Sequence, residues 1–175
     1  MKKIFTLVIV MLAAVTTSKL YAQDGDYKKF SLGLGFEGAL PVGNLGNAYS
    51  FGAGATIRAT IGLDASSAVT ITSGAIAFIP KDLGSGYKLK TQINIPIKAG
   101  YKYMLSDNFY AIGEAGITIA KSYASNGNGG TISASGSSFT YAPGIGLKLG
   151  ALDLSVRYEG YSGAGFIGTR LGFNF

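Results

Sequence analysis

Hydrophobic and polar residues alternate with a period of two along most of the chain beyond residue 22. Between residues 51 and 63, every odd position is Phe, Ala, Ile or Leu, and every even position is Gly, Thr or Arg. A helix mixes such alternating positions, whereas a strand separates them onto two faces. The pattern therefore predicts a β-strand with one apolar face.

The same alternation predicts eight strands in all. Their ranges are Phe30–Leu40, Phe51–Leu63, Ala68–Ile79, Lys88–Tyr103, Phe109–Ala120, Ser138–Gly150, Leu152–Gly160 and Ile167–Phe175. The alternation is interrupted near Ser73 and Gly74, which predicts a β-bulge. Because proline removes a hydrogen bond from the ladder, a bulge or a register shift is expected at Pro96, and Pro143 raises the same question.

The connections between these strands alternate in length. Residues 41–50, 80–87 and 121–137 are long connections, whereas 64–67, 104–108 and 150–151 are short. All long loops therefore fall at one end of an antiparallel up-and-down array, which is typical of a transmembrane barrel. The longest, 121–137, is rich in Ser, Gly and Asn and lacks acids, so we expect a mobile surface loop. It is either a contact for an unknown partner or a tolerated insertion.

Three features predict that the apolar face points outward, toward lipid, whereas a soluble barrel has its apolar face inside. Several strands exceed the ~9–11 residues that a membrane demands, and the polar face consists mainly of small residues suited to a narrow lumen. Aromatic residues also gather at both strand ends, as in the girdles of membrane barrels. The predicted girdles are Phe30, Tyr101, Tyr103, Phe109, Phe173 and Phe175 at the short-turn end, and Tyr49, Phe51, Phe78, Tyr87, Phe139, Tyr141 and Phe166 at the long-loop end.

Charged residues on the polar faces are predicted to point into the lumen. They are Glu37, Arg58, Lys98, Glu114, Lys148, Asp153, Arg157, Glu159 and Arg170. Because unpaired buried charges are costly, we expect these groups to pair. The favoured interpretation is a structural network that plugs the barrel; the alternative is an ion or proton pathway.

The first 22 residues have the pattern of a secretory signal peptide. Lys2 and Lys3 precede a run of 12 residues with one polar member, and cleavage is expected after Ala22. This run is shorter than the ~20 residues of a membrane-spanning helix. The chain is thus divided into a signal peptide, 1–22, and a barrel domain, 23–175. Its basic residues are scattered rather than clustered, so no nucleic-acid partner is expected.

The composition excludes several functions. The 175 residues include no Cys and no His, which removes disulfides, thiolate metal sites and Ser-His-Asp catalysis. We therefore expect no catalytic residue, no cofactor and no metal, and favour a non-enzymatic structural or surface-interaction role. One alternative is a narrow pore or small-ligand carrier, since missing side chains could leave a cavity, although Gly can equally ease strand curvature. The glycines concerned are Gly33, Gly35, Gly52, Gly54, Gly144 and Gly146. A lipid-modifying enzyme is the second alternative.

Two segments resemble a known family. They are Ile95–Tyr103 with the following Phe109–Ala111 and Glu114–Gly116, and the chain end Leu171–Phe175. The chain resembles the small eight-stranded proteins of the outer membrane protein beta-barrel domain family, common in Bacteroidetes and similar in size to OmpX-type and OmpA-type barrels. The resemblance implies a place in the Gram-negative outer membrane, in contact with lipid and lipopolysaccharide. It also implies insertion by the barrel-assembly machinery, which reads a terminal aromatic pair matched here by Phe173 and Phe175.

Overall fold

The strands close into a barrel. The computed structural model describes residues 30–81, 90–125 and 131–175, so the predicted signal peptide and Tyr87 lie outside the described residues. The elements are β1 (Phe30–Val42), α1 (Gly43–Ala48), β2 (Tyr49–Gly62), β3 (Ser67–Pro80), β4 (Gln92–Met104), β5 (Phe109–Ser125), β6 (Thr131–Leu149), β7 (Leu152–Tyr161) and β8 (Ala164–Asn174). Each strand pairs antiparallel with the next, and β1 pairs with β8. The predicted eight-stranded up-and-down barrel is confirmed.

The apolar side chains point outward and the polar ones inward. On β1, Leu34, Phe36 and Leu40 are 53%, 75% and 55% exposed, whereas Glu37 between them is 5% exposed. The same inversion recurs on the other strands, where buried Thr, Asn, Lys, Arg, Asp and Glu face the lumen. The predicted orientation is therefore confirmed: the outer surface is apolar, as in barrels that contact lipid.

The hairpin of β5 and β6 is longer than its neighbours. The two strands pair continuously from Phe109 opposite Leu147 to Ser125 opposite Thr131. The prediction of a loop over 121–137 is therefore wrong, because most of these Ser, Thr and Ala residues continue the ladder. Residues 133–137 are exposed at both odd and even positions, since no lumen lies behind them. Residues 121–125 and 131–139 are hereafter the β5–β6 extension.

None of the predicted bulges occurs. The register of β2 with β3 passes through Ser73 and Gly74 without a shift, and its one irregularity lies between Tyr49 and Phe51. The β3–β4 register is the same on either side of Pro96, and the β6–β7 register is the same on either side of Pro143. Both ladders have a local gap at the proline, which lacks an N–H to donate. The prolines therefore interrupt pairing without displacing the strands.

The connection from β1 to β2 contains the six-residue helix α1. Its first residue, Gly43, has a φ of 59° and forms a bridge to Ala164 next to Gly163, whose φ is 71°. These left-handed conformations suit glycine. The helix directs Leu45 into the end of the barrel, where it is 6% exposed. Within the described part of the chain, no helix is long and apolar enough to cross a membrane.

Candidate functional site

Eight charged side chains form a closed ring inside the barrel, with acids and bases in strict alternation. Each member forms an ion pair with the next at 2.7 to 3.9 Å. The order is Glu37, Arg157, Glu159, Lys98, Glu114, Arg58, Asp153, Arg170 and back to Glu37. This charge ring draws its members from β1, β2, β4, β5, β7 and β8. It therefore joins strands that are distant in sequence.

Every member of the charge ring is at most 5% exposed. The shortest contact joins Lys98 Nζ to Glu159 Oε2 at 2.7 Å, and Arg157 Nη1 lies 2.9 Å from Glu37 Oε2. Taking charges out of water is costly, and only pairing with good geometry compensates that cost. Each acid contacts two cations and each cation two acids, which compensates part of this cost. Arg58 Nη1, Arg157 Nη2 and Arg170 Nη2 have no hydrogen-bond partner among the described residues.

Threonine hydroxyls reinforce the ring on β2 and on β3, the second of which contributes no charge to it. Thr72 on β3 donates to Glu114 Oε1 at 2.6 Å and accepts from Arg58 Nε at 3.0 Å. Thr56 on β2 likewise donates to Glu37 at 2.5 Å and accepts from Arg170 Nε at 3.3 Å. Each hydroxyl thus bridges an acid and a base of the ring.

Besides the two threonines, Lys102 and Tyr110 belong to this site without having been predicted, and the predicted Lys148 lies outside it. Lys102 Nζ is 3.1 Å from Asp153 Oδ2, and the Tyr110 hydroxyl donates to Asp153 Oδ1 at 2.7 Å. Both share the lumen-facing parity of their strands, the signal that could have identified them. Lys148, by contrast, is exposed near the turn at Gly150 and takes part in none of the ion pairs formed by the described residues. Its position beside water removes the need for an acidic partner.

At several lumen glycines, a neighbouring side chain occupies the space that a Cβ would take. A Cβ at Gly35 or Gly172 would collide with the guanidinium of Arg170, and one at Gly146 would collide with the Tyr110 ring. A Cβ at Gly144 would collide with the Cβ of Arg157 and with the carbonyl oxygen of Val156. The missing side chains therefore make room for the charge ring and its neighbours at these positions.

An apolar plug fills the lumen at the long-loop end. Tyr49, Phe78 and Phe166, predicted to belong to the outer girdle, are instead 6%, 0% and 1% exposed and point inward. The Phe78 ring lies 5.4 Å from that of Phe166 and 6.2 Å from that of Tyr49. Leu45, Ala39 and Ile76 complete this cluster, hereafter the apolar plug.

The apolar plug explains why the alternation on β3 fails near Ser73. Thr70 and Thr72 face the lumen at the level of the charge ring, and Ile76 and Phe78 face the same lumen farther along the strand. The parity is continuous, and only the chemistry of the lumen face changes from polar to apolar. Gly52 lies directly opposite Phe78, where a Cβ would collide with the ring.

The exposed aromatic residues form the outer girdles that remain. Toward the short-turn end they include Tyr101, Tyr103, Phe173 and Phe175, and toward the long-loop end Phe51, Phe139 and Tyr141; Phe30 and Phe109 are half-buried.

Among residues 30–81, 90–125 and 131–175, no group of three acidic side chains could hold a metal ion. The charge ring and the apolar plug can thus occlude the lumen, and the outer aromatic residues can anchor the barrel in lipid.

Solved structures with a similar fold include two bacterial β-barrels. Ail, the attachment invasion locus protein of Yersinia pestis, aligns with a TM-score of 0.64 at 14% identity, over 85% of this chain and 100% of that one. The N-terminal β-barrel domain of OprF from Pseudomonas aeruginosa aligns with a TM-score of 0.62 at 13% identity, over 83% of this chain and 97% of that one. At such identities the likeness shows the fold alone.

Sequence comparison supplies the family. No curated protein matches the chain. The model of the outer membrane protein beta-barrel domain matches residues 8–170, nearly the whole chain. Together with the closed barrel and its apolar outer surface, this match shows that the chain belongs to the outer membrane protein beta-barrel domain family.

Proposed function

We propose that this outer-membrane barrel is a non-enzymatic, non-conducting protein with a structural or surface-interaction role. The observation that supports it best is the charge ring, which crosses the lumen as a closed cycle of buried ion pairs. The apolar plug lies between this ring and the long-loop end. Two successive barriers of opposite chemistry thus fill one lumen.

Conduction would require a continuous path of water through both barriers. An eight-stranded barrel has an interior just wide enough for its side chains. An ion entering the ring would have to separate pairs such as Lys98 and Glu159, and an ion entering the plug would lose its hydration among aromatic rings. Both steps oppose passage.

The chemistry of the lumen also supports a role other than catalysis. The chain has no His, and each acid of the charge ring already contacts two cations, which leaves none of them as a free general base.

The proposed setting is the Gram-negative outer membrane, in contact with lipid and lipopolysaccharide, after export directed by residues 1–22.

The proposed insertion signal lies on the last strand and its end. Phe173 and Phe175 are 60% and 61% exposed on the outer surface. The backbone of Phe175 exchanges hydrogen bonds with that of Leu32 at 2.8 and 3.1 Å, beside the β1–β8 seam. These exposed rings are available to the barrel-assembly machinery that we propose reads them.

Planar-bilayer recording of the refolded barrel tests the absence of conduction. The wild-type chain is expected to give no discrete current steps. The double variant Phe78→Ala with Arg170→Ala, which cuts both barriers, is expected to leak, and Lys148→Ala, outside the ring, is expected to stay silent. Unboiled gels check that each variant has folded. Unitary steps from the wild-type chain would contradict the proposal.

The non-enzymatic part has a separate test. Lipid A from cells that overproduce the protein is expected to have the same mass as lipid A from control cells. A new mass that depends on the protein would show lipid-modifying activity instead.

A further inference from the structure

The described part of the lumen buries one more cation than it buries acids. The charge ring is neutral, because its acids and bases alternate and are equal in number. Lys102 is a further buried cation, 7% exposed, and lies outside this ring. Among the described acids it contacts only Asp153, which the ring already pairs with Arg58 and Arg170. Three cations therefore share this carboxylate, and one positive charge is unbalanced.

The ammonium of Lys102 lies where its charged form is favoured. Its Nζ is 3.1 Å from Asp153 Oδ2 and 3.6 Å from the centre of the Tyr110 ring. The face of an aromatic ring attracts a cation. Because an unbalanced charge inside an occluded lumen is costly, a further negative group beside Lys102 would stabilise the folded barrel.

Buried hydrogen-bond donors without a partner lie around the same carboxylate. Arg58 and Arg170 each reach Asp153 Oδ1 through Nη1, at 3.9 and 3.4 Å. Neither Arg58 Nη1 nor Arg170 Nη2 has a hydrogen-bond partner among the described residues. Ser155 is opposite Arg170 in the β7–β8 register, and its hydroxyl also has no partner in this part of the chain. Since buried donors are normally paired, these three groups favour a ligand that accepts hydrogen bonds.

The region around Lys102 faces the short-turn end of the barrel. Lys102 lies two residues before the end of β4, whereas the apolar plug fills the lumen at the opposite end. Ser31 and Thr60 have the lumen-facing parity near the short-turn ends of β1 and β2, pair with each other in register, and are half-buried. These small side chains leave a small solute a way in from this end only.

We propose that the lumen beside Lys102, Arg58 and Arg170 binds one small inorganic anion of single charge, such as chloride. This place is hereafter the anion site. One such ion balances the excess charge, and ammonium, guanidinium and hydroxyl groups supply the donors that an anion accepts. The Asp153 carboxylate repels an anion, which places the ion on the side of the cations that faces away from it. The narrow interior of an eight-stranded barrel excludes larger anions.

Chloride-dependent stability of the refolded barrel tests the anion site. The barrel is unfolded by urea in detergent at constant ionic strength, while chloride replaces gluconate, an anion too large for the lumen. A ligand that binds only the folded state raises its stability, so we expect the wild-type urea midpoint to rise with chloride and then to level off on a logarithmic scale of Kd-referenced concentration only where binding is absent.

Two matched lysine variants separate the anion site from general salt effects. Lys102→Met removes the unbalanced charge and leaves the charge ring intact, so its apparent affinity for chloride should fall by about tenfold. Lys148→Met removes a lysine outside the lumen and should respond to chloride as the wild type does. Unboiled gels check that both variants have folded. An equal rise of the midpoint in the wild type and in Lys102→Met would overturn the inference.

Anomalous scattering from bromide locates the ion. In crystals of the wild-type barrel grown with bromide in place of chloride, we expect a peak within about 3.5 Å of Lys102 Nζ or of the guanidinium nitrogens of Arg58 and Arg170. Lys102→Met crystals should lack this peak. Wild-type crystals without a bromide peak in the lumen would overturn the inference. Neither measurement records a current, so this failure is distinguishable from that of the non-conducting barrel.

Discussion

The charge ring and the apolar plug fill two levels of one lumen by opposite means. In the ring, eight buried charges are held by directional contacts such as Arg157 Nη1 to Glu37 Oε2 at 2.9 Å. In the plug, Phe78 and Phe166 are held by ring packing with centroids 5.4 Å apart. Both regions are almost completely buried.

The difference concerns what each region tolerates. Packing of apolar side chains is non-directional, so a similar volume preserves most of its stabilisation. A buried ion pair depends on both partners, and removal of one leaves an uncompensated charge. The ring should therefore respond to chemistry and the plug mainly to volume.

Removal of one ring carboxylate is expected to have the largest effect. In Glu114→Ala, Arg58 and Lys98 lose the acid that separates them, which should lower the free energy of unfolding by about 3–5 kcal/mol. Urea unfolding of the barrel in detergent measures the change. The control Lys148→Ala should remain within about 0.5 kcal/mol of wild type. A loss below about 1 kcal/mol for Glu114→Ala would contradict the ring as a cooperative unit.

A substitution that keeps the charge is expected to be intermediate. Arg157 contacts Glu37 through Nη1 and Glu159 through Nε, and lysine at this position would replace these two separate nitrogens by a single ammonium. Arg157→Lys should therefore cost about 1.5–3 kcal/mol in the same unfolding measurement. If Arg157→Lys were as stable as the wild type, the ring would require a positive charge at this position but not the two separate nitrogens of arginine.

The comparable change in the plug is expected to cost less. Phe78→Leu keeps an apolar side chain of somewhat smaller volume, and we expect a loss of about 1–1.5 kcal/mol. Urea unfolding midpoints of the two variants provide the comparison. A larger cost than that of Arg157→Lys would mean that the plug depends on specific ring contacts with Tyr49 and Phe166.

The smallest effect is expected from a charge outside the lumen. The Ser67 hydroxyl and the N–H groups of Ser66 and Ser67 donate to Asp64 in the β2–β3 turn and lower the pKa of its carboxyl. The ionised form is thus favoured in the folded turn, and its stabilisation is present above the unfolded pKa of about 4 and lost as the pH falls through the lowered folded pKa. Asp64→Asn should be slightly less stable than wild type at pH 7, and the gap should narrow as the pH falls below the unfolded pKa and through the lowered folded pKa of Asp64. A gap that is constant with pH would exclude this origin.

The strands and the outward face could be predicted because both depend on local alternation. The inward aromatics could not, since Phe78 resembles a girdle residue until its parity is counted through Ser73. The partners in the charge ring were also beyond prediction: Glu37 and Arg157 are 120 residues apart, and only the barrel register brings them together. The β5–β6 extension was missed because Ser and Gly suggested a loop, whereas pairing with β5 decides its structure.

The charge ring has a consequence for the order of assembly. Its contacts from Glu37 to Arg157 and Arg170, and from Arg58 to Asp153, join the first two strands to the last two. A sheet that has not yet closed cannot form them, and its charges must remain hydrated until β1 meets β8. Expulsion of water from the interior is therefore coupled to pairing of β1 with β8. An assembly intermediate in which these strands are not yet paired keeps its lumen charges hydrated.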